Sequence, residues 1–178
     1  SSRPLQSVYC WQPQMADLLG ELVAPVNGRA PFDVIHVEHL RGVNYGVHLK
    51  KLGTAVPVVW DSVDCISFLF EQAIKQTKSQ FGQLITKLDL DRTRQFEGRM
   101  VNAFDRVLVT SPIDREALLA LSPSNAPEPP ILVLPQGANL EAFVPDQTVL
   151  RDPATIIATG KMSYHANITM VHHLVEAI

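Results

Sequence analysis

The sequence predicts an α/β protein whose parallel sheet is flanked by helices. Short apolar runs rich in Val and Ile alternate with longer segments whose apolar residues recur at helical spacing. Continuous apolar runs of this length are typical of strands buried in a parallel sheet, and turn residues close most of them. Because crossovers between parallel strands are right-handed, we expect the intervening helices to pack against the sheet.

Composition restricts the classes of function. The chain has 178 residues, of which 46% are hydrophobic and 19% charged, and its net charge is −3, which argues against broad nucleic-acid binding. No apolar run approaches the roughly 20 residues that a membrane span needs. Two distant cysteines, Cys10 and Cys65, fit a reducing, cytoplasmic compartment. The chain lacks a starting Met and stops within a helical pattern, so we expect it to be a piece of a longer protein.

The predicted elements follow from apolar spacing and turn residues. The first half is predicted to form a strand at 8–11, a helix ending near Val23, a strand at 33–38, a loop at 41–46 and a short helix at 47–52. The next part is predicted to form a strand at 56–61, a helical region from Phe68 to Ala103 with a break near 79–82, a strand at 106–110, a helix at 112–121 and a strand at 131–134. Charged residues of the long helical region, Glu97 among them, are expected to form its solvated face.

Domain boundaries follow from the same patterns. Residues 1–145 are predicted to form one domain, 146–153 a linker and 154–178 the first βα unit of a second domain. That unit is expected to contain a strand at 155–158 and a helix from Ile168. Its apolar side chains would need a partner, either the larger domain or a second copy in a homodimer.

Ligands of open parallel sheets bind beyond the carboxyl ends of the strands, so the residues that follow each predicted strand are the candidates. They are Glu38, His39, Arg41, Asp61, Ser62, Asp64, Thr110, Ser111, Gln136, Gly137, Asn139, Gly160 and Lys161.

Asp61 and Asp64 are the candidate catalytic pair. A carboxylate at a strand end can act as a general base, bind a sugar hydroxyl or cap the helix behind it, and all three roles stay open. Ser111 is predicted to cap a helix, with Pro112 at its first position and Asp114 where a capping-box carboxylate would lie.

The loop of Gly160 and Lys161 is the candidate phosphate site. A cation near a helix amino terminus suits a diphosphate, although a solvated lysine is the alternative. Asn167 is expected to cap the final helix. His36 and His39 should face opposite sides of an extended segment, and no Cys or His spacing favours a metal.

Five stretches in order resemble the retaining glycosyltransferases of the GT-B fold, group-1 or family-4 type, especially those of bacterial exopolysaccharide clusters. They are PFDVIHVEHLRG, VVWDSVDCISFLFEQA, FDRVLVTSPIDREALLAL, ILVLPQGANLEAFVPD and IIATGKMSYHANITMV. The resemblance implies two Rossmann-like domains, the first holding the acceptor and the second the nucleotide-sugar donor. This chain would span most of the first domain and the start of the second, and we expect it to be inactive alone.

The resemblance also implies roles for particular residues. Residues 135–139 stand where the family usually has Pro-Asn-Gly-Val-Asp, and Lys161 stands where a Gly-Arg loop faces the donor diphosphate. Asp61 replaces a frequent active-site His. The substrate-binding residues implied are His39, Arg41, Ser111 and Gly137, and those for donor phosphate are Gly160, Lys161 and Asn167.

The implied function is sugar transfer from a nucleotide-sugar, used as substrate with no further cofactor, to a glycan or lipid-linked acceptor. The implied location is the cytoplasm, with peripheral contact at the inner face of the membrane, and no nucleic-acid partner is expected. Two alternatives stay open: a GT-B-like sugar-nucleotide epimerase, with Asp61 and His39 as acid and base, and a non-catalytic flavodoxin-like binding module.

Overall fold

The computed structural model describes residues 3–76, 80–123, 125–146, 148–163 and 165–177. The chain divides into two compact units, Ser1–Gly137 and Ala138–Ile178. The first unit contains the sheet and the helices around it, and the second contains a single helix among the described residues.

The amino-terminal segment is helical. It forms helices α1 (Leu5–Tyr9) and α2 (Pro13–Leu22), so the helix prediction ending near Val23 is confirmed and the strand prediction for 8–11 is wrong. The reason is long-range hydrogen bonding. The carbonyl groups of Ser7 and Cys10 accept from the side chains of Asn44 and Tyr45, so this segment needs no neighbouring strand to satisfy them.

Strand β1 (Ile35–Glu38) leads directly into helix α3 (His39–Lys51). The predicted loop at 41–46 is therefore wrong, because Gly42 and Gly46 lie inside the helix. A Cβ atom on Gly46 would lie 2.6 Å from the Phe104 ring, and one on Gly42 would lie 3.0 Å from Val37. The two glycines permit close packing of α3 on the sheet.

The remaining elements of the first unit alternate between strand and helix. They are β2 (Val58–Val63), α4 (Ile66–Gln76), α5 (Gln80–Met100), β3 (Arg106–Val109), α6 (Pro112–Leu121) and β4 (Ile131–Val133). All three strands predicted in this part are confirmed within a few residues. The predicted break at 79–82 starts outside the described residues, at Ser79, and α5 continues through Gly82.

The four strands form one parallel sheet in the order β1-β2-β3-β4. Val37, Trp60, Val107 and Ile131 pair across the sheet in one row. The prediction of an α/β fold with a parallel, helix-flanked sheet is therefore confirmed, and its connectivity is Rossmann-like.

One face of the sheet carries the core. The row of Val37, Trp60, Val107 and Ile131 belongs to a buried cluster that also contains Leu40 and Val43 of α3, Phe96 of α5 and Leu118 of α6. Helices α3, α5 and α6 therefore pack on the same face. This agrees with the strand order, because right-handed crossovers that always step in one direction place their helices on one side.

The opposite face of the sheet is more exposed, and we call it the open face. The row Glu38, Asp61, Leu108 and Leu132 lies on it, and all four side chains are exposed or half-buried, Leu132 at 52%. Polar side chains occupy the β1 side of this row and leucines the β4 side.

The second unit contains helix α7 (His165–Ala177). The predicted strand at 155–158 is wrong, because the strands of the described residues all lie in the first unit. Ile156 and Ile157 are 73% and 80% exposed, so their apolar surface has not been removed from water by sheet formation. The homodimer predicted from that surface stays a prediction.

Candidate functional site

The carboxyl ends of the strands bring several of the predicted site residues to one edge of the sheet, which we call the carboxyl edge. His39 follows β1, Asp64 follows β2, and Ser111 lies two residues beyond β3. The chain continues alongside β3 after β4 ends, since the Leu134 N–H donates to the Val109 carbonyl. Gly137 lies three residues further, with open space around it.

Asp61 lies at a β-bulge on the open face. The pairing between β2 and β3 shifts register between Asp61 and Val63, and Val63 has a φ of 65°, which is rare for a β-branched residue. The Asp61 Oδ1 accepts from the Val63 N–H at 3.0 Å, and its Oδ2 lies 3.2 Å from His36 Nε2. Asp61 thus stabilises the bulge and pairs with a histidine at the same time.

Asp64 has a different environment. Burial raises the pKa of the Asp64 carboxyl above its ordinary value, and the nearby Asp114 carboxylate raises it further. His39 and a hydrogen bond with Thr110 act in the opposite direction. Asp64 is therefore a half-buried carboxyl with a neighbouring histidine, which is a suitable arrangement for binding a hydroxyl or moving a proton.

The turn that carries Asp64 is held by two other carboxylates. Glu97, fully buried on α5, accepts from the N–H groups of Ile66 (2.8 Å) and Ser67 (3.1 Å) at the start of α4. Asp114 of α6 accepts from the Cys65 N–H at 2.9 Å. The amino terminus of α4 is thus satisfied by side chains from two other helices.

Burial raises the pKa of two side chains at this turn, Glu97 and Cys65. It raises the pKa of Glu97, against the hydrogen bonds that Ser67 and Ile66 donate. It raises the pKa of the Cys65 thiol to about 12, and the Glu97 charge contributes to that shift. Cys65 is therefore a protonated, unreactive thiol with a packing role.

The start of α6 is capped as predicted. Ser111 is the N-cap, and its hydroxyl oxygen accepts from the Asp114 N–H. The Asp114 carboxylate does not complete a capping box with the Ser111 N–H. It accepts instead from the Ser111 hydroxyl and the Cys65 N–H, linking α6 to the turn before α4.

The start of α3 is arranged differently. Its N-cap, Glu38, makes no side-chain cap, and His39 at the first helical position has a φ of 59°. His39 Nε2 lies 3.5 Å from the Glu38 carboxylate. The charge of His39 also acts to lower the pKa of Asp64. Arg41, two residues further, is exposed.

The predicted phosphate loop lies in the second unit. Asn167 is inside α7, so the prediction that it caps this helix is wrong. Its Nδ2 donates to the Lys161 carbonyl at 3.1 Å, and a Cβ on Gly160 would lie 2.8 Å from that nitrogen. Gly160, Lys161 and Asn167 therefore belong to one local loop in which Lys161 is exposed.

The site contains residues that sequence reasoning assigned elsewhere or overlooked. Glu97 was expected on a solvated face, yet it is buried under the turn of Asp64. His36 was considered only as a metal ligand, yet it pairs with Asp61. The partners of Glu97 are about thirty residues away along the chain, so periodicity within α5 alone could not identify its role.

Among the described residues, no cluster of His, Cys, Asp or Glu is arranged to hold a metal ion. The described helices include none that could span a membrane. No protein-family model, curated protein or solved structure matches the chain. The structure therefore establishes the fold class of the chain, which is a parallel sheet flanked by helices with Rossmann-like connectivity.

Proposed function

We propose that this chain forms the acceptor-side wall of a nucleotide-sugar-dependent glycosyltransferase of GT-B type. The observation that carries the proposal is Asp64, a half-buried carboxyl beside His39 and Thr110 at the edge where parallel sheets bind ligands. The resemblance of the five sequence stretches supports it and supplies the reaction class.

The helix ends favour an uncharged, hydroxyl-rich ligand at this edge. Helix amino termini ordinarily attract phosphate. Here the start of α4 is occupied by the Glu97 and Asp114 carboxylates, and the start of α6 by Ser111. A phosphate at this edge would be repelled by Asp64 and by the buried carboxylates behind it, whereas a sugar hydroxyl could donate to Asp64 or Asp61.

The donor phosphates would then be bound elsewhere, by the loop of Gly160 and Lys161 and by the amides that follow it. In this proposal the Lys161 cation offsets the charge that develops on the leaving diphosphate. Asp61 and Asp64 orient the acceptor hydroxyl, and His39, Arg41, Ser111 and Gly137 complete the acceptor wall.

The proposal is tested by observing backbone amides in NMR spectra of the 178-residue chain during titration with neutral methyl α-glycosides and with glucose 1-phosphate. We expect the methyl glycosides to bind with a Kd of about 1 mM, a free energy near −4 kcal/mol, and to shift amides around Asp64 and Thr110. Asp64→Asn should weaken binding at least threefold. Asp17→Asn, which changes an exposed aspartate of α2, is the matched control and should have no effect.

Two results would contradict the proposal. One is tighter binding of glucose 1-phosphate than of the methyl glycosides at the carboxyl edge. The other is an absence of shifts there for any glycoside, which would favour the non-catalytic module. If a protein carrying this chain converted a nucleotide-sugar to its epimer, the epimerase alternative would be correct.

A further inference from the structure

Helix α3 carries a stripe of side chains that is not buried in the core. Its members recur at the i, i+3, i+4 and i+7 positions of one helical face and are Asn44, Val47, His48 and Lys51. All four are half-buried or exposed. The stripe ends at Lys51, about 18 Å along the helix axis from His39 at the carboxyl edge.

The chain segments on either side of α1 lie against this stripe and form a pocket with it. Arg3 precedes α1 and Trp11 follows it. These two residues and the four of the stripe line a space of about 140 Å³, which we call the Trp11 pocket. The pocket therefore has two walls, one on α3 and one from the amino-terminal segment.

The amino-terminal wall is fixed by aromatic contacts. The Trp11 ring stacks on Tyr45 with centroids 5.0 Å apart, and it meets His48 edge-on at 5.7 Å. The Tyr45 hydroxyl donates to the Cys10 carbonyl and accepts from the Gln12 N–H, the two neighbours of Trp11 in the chain. Trp11 is therefore held against α3 by its own ring and by the backbone on both sides of it.

The lining of the pocket is cationic. Arg3 and Lys51 come from the two walls, and His48 adds a third charge when it is protonated. None of the described residues that line the pocket is a carboxylate, and no described carboxylate forms an ion pair with Lys51. In a chain whose net charge is −3, the pocket is a local excess of positive charge.

Two carboxylates of neighbouring elements are held by other partners. Asp89 of α5 is 8% exposed and accepts from the Leu5 N–H at 3.1 Å. Asp105 is paired with Lys50 at 2.8 Å. Neither carboxylate lines the pocket, so neither keeps an anion out of it.

Basic residues in the last turn of a helix also have a structural role, because they compensate the negative end of its dipole. His48 and Lys51 lie in the last turn of α3. Dipole compensation does not account for Arg3 and Trp11, which come from outside the helix and complete the pocket. A bound anion accounts for both walls.

The size of the pocket restricts the anion. Sites for drug-sized molecules have volumes of about 300–1,000 Å³, so a space of about 140 Å³ admits one small group. Phosphate offers three acceptor oxygens and up to two charges, and both Arg and Lys bind it. We propose that the Trp11 pocket binds a soluble phosphate, either inorganic phosphate or a monoester whose remaining part extends into solvent.

The exposed apolar residues of α1 are not part of this site, since Leu5, Val8 and Tyr9 do not line the pocket. The inference does not depend on the proposed sugar-transfer function, which assigns the donor phosphates to the loop of Gly160 and Lys161. The pocket is also separate from the carboxyl edge, because it lies at the other end of α3.

The experiment is an NMR titration of the 178-residue chain with inorganic phosphate, followed at the tryptophan indole N–H signals, with sodium chloride of equal ionic strength as the reference. The chain has two tryptophans. We expect the Trp11 signal to shift with a Kd of about 1 mM, whereas the signal of the fully buried Trp60 should stay in place.

Variants of both walls test the cations. Arg3→Gln and Lys51→Gln should each weaken binding about threefold, as expected for the loss of one exposed charge pair, and the double variant about tenfold. Both side chains are exposed, so their replacement should leave the fold intact, which circular dichroism checks. Lys51→Arg keeps the charge and should retain binding. Lys87→Gln, at an exposed lysine of α5, is the matched control and should bind phosphate as the wild type does.

Four outcomes would overturn the proposal. A Trp11 shift no larger than the one that sodium chloride causes would mean that phosphate does not bind there. Unchanged affinity in the double variant would mean an adventitious ion only, and equal weakening by Lys87→Gln would mean an effect of net charge. Binding to phosphatidylglycerol vesicles without binding of inorganic phosphate would assign the pocket to a lipid headgroup. Because the proposed function is tested at Asp64 and Thr110, either proposal can fail while the other stands.

Discussion

The two edges of the sheet each carry an aspartate beside a strand end, and the fold treats these two carboxyls in opposite ways. At the amino edge, the Asp105 carboxylate accepts from Lys50 Nζ and from the Val58 N–H, both at 2.8 Å. These two hydrogen bonds lower the pKa of Asp105, and the one from Lys50 has the larger effect. At the carboxyl edge, burial and the Asp114 charge raise the pKa of Asp64.

The two carboxyls differ in their hydrogen-bond partners. Asp105 is bound by a lysine and a backbone N–H of the fold, whereas Asp64 has no such cationic partner among the described residues and could accept from a ligand. Asp105 joins α3, β2 and β3 and has its charge compensated. Asp64 has a neighbouring carboxylate and only a histidine and a threonine to oppose it. A raised pKa at a strand end is compatible with the binding role proposed for Asp64, but burial raises the pKa of the structural Glu97 in the same direction, so the position of Asp64 at the carboxyl edge carries the distinction.

The largest expected change in the free energy of unfolding is for Glu97, which supports the turn at the carboxyl edge. Glu97→Ala should lower the free energy of unfolding by about 3 kcal/mol, because it leaves the Ile66 and Ser67 N–H groups unpaired and opens a cavity. Urea unfolding followed by circular dichroism measures it. Glu116→Ala, at an exposed position of α6, is the control and should change stability by less than about 0.5 kcal/mol. A loss below about 1 kcal/mol for Glu97→Ala would mean that the turn of Asp64 does not depend on it.

A smaller effect is expected at the amino edge. Asp105→Asn should lower the free energy of unfolding at pH 7 by about 1 kcal/mol, because the half-exposed pair with Lys50 and the charge on the Val58 hydrogen bond are lost. Since the folded-state pKa of Asp105 is lowered, its contribution is present above its ordinary value of 3.8 and is lost as the pH falls through the folded-state pKa. Urea titrations from pH 7 to pH 2.5 should therefore show wild type and variant converging in acid. A constant gap would show that charge is not involved.

The smallest effect, with the opposite sign, is expected for Asp64→Asn. Because the folded-state pKa of Asp64 is raised, its contribution is present below 3.8 and is lost as the pH rises through the folded-state pKa. The variant should therefore equal or exceed wild type in stability at pH 7, by less than about 1 kcal/mol, and lose that advantage in acid. The same pH series measures it, with Asp17→Asn as the control. A clear loss of stability at pH 7 would place Asp64 with the structural aspartates.

Much of the fold could be predicted because its signals are local. Apolar runs identified β1, β2, β3 and β4, and the sequence Ser111-Pro112-Ile113-Asp114 identified a helix start by its own chemistry. Because Asp64, His39 and Ser111 each follow a predicted strand, their placement at one edge of the sheet could also be predicted.

The failures have long-range causes. Gly42 and Gly46 suggested a loop, and only the positions of Val37 and Phe104 explain why a helix needs them. Glu97 looked like a solvated charge because its two hydrogen-bond donors lie in another helix. Residues 155–158 have the composition of a strand, but a strand also needs a partner, and the described part of their unit contains no other.

The strand order has a consequence for synthesis. Each strand after β1 pairs with the one before it along the chain, and α3 and α6 each pack against the two strands that they connect. Such a sheet can be assembled in the order in which a ribosome releases it, since no strand waits for a later one to be inserted beside it. Assembly from the amino-terminal strand onward is therefore the route that this topology favours.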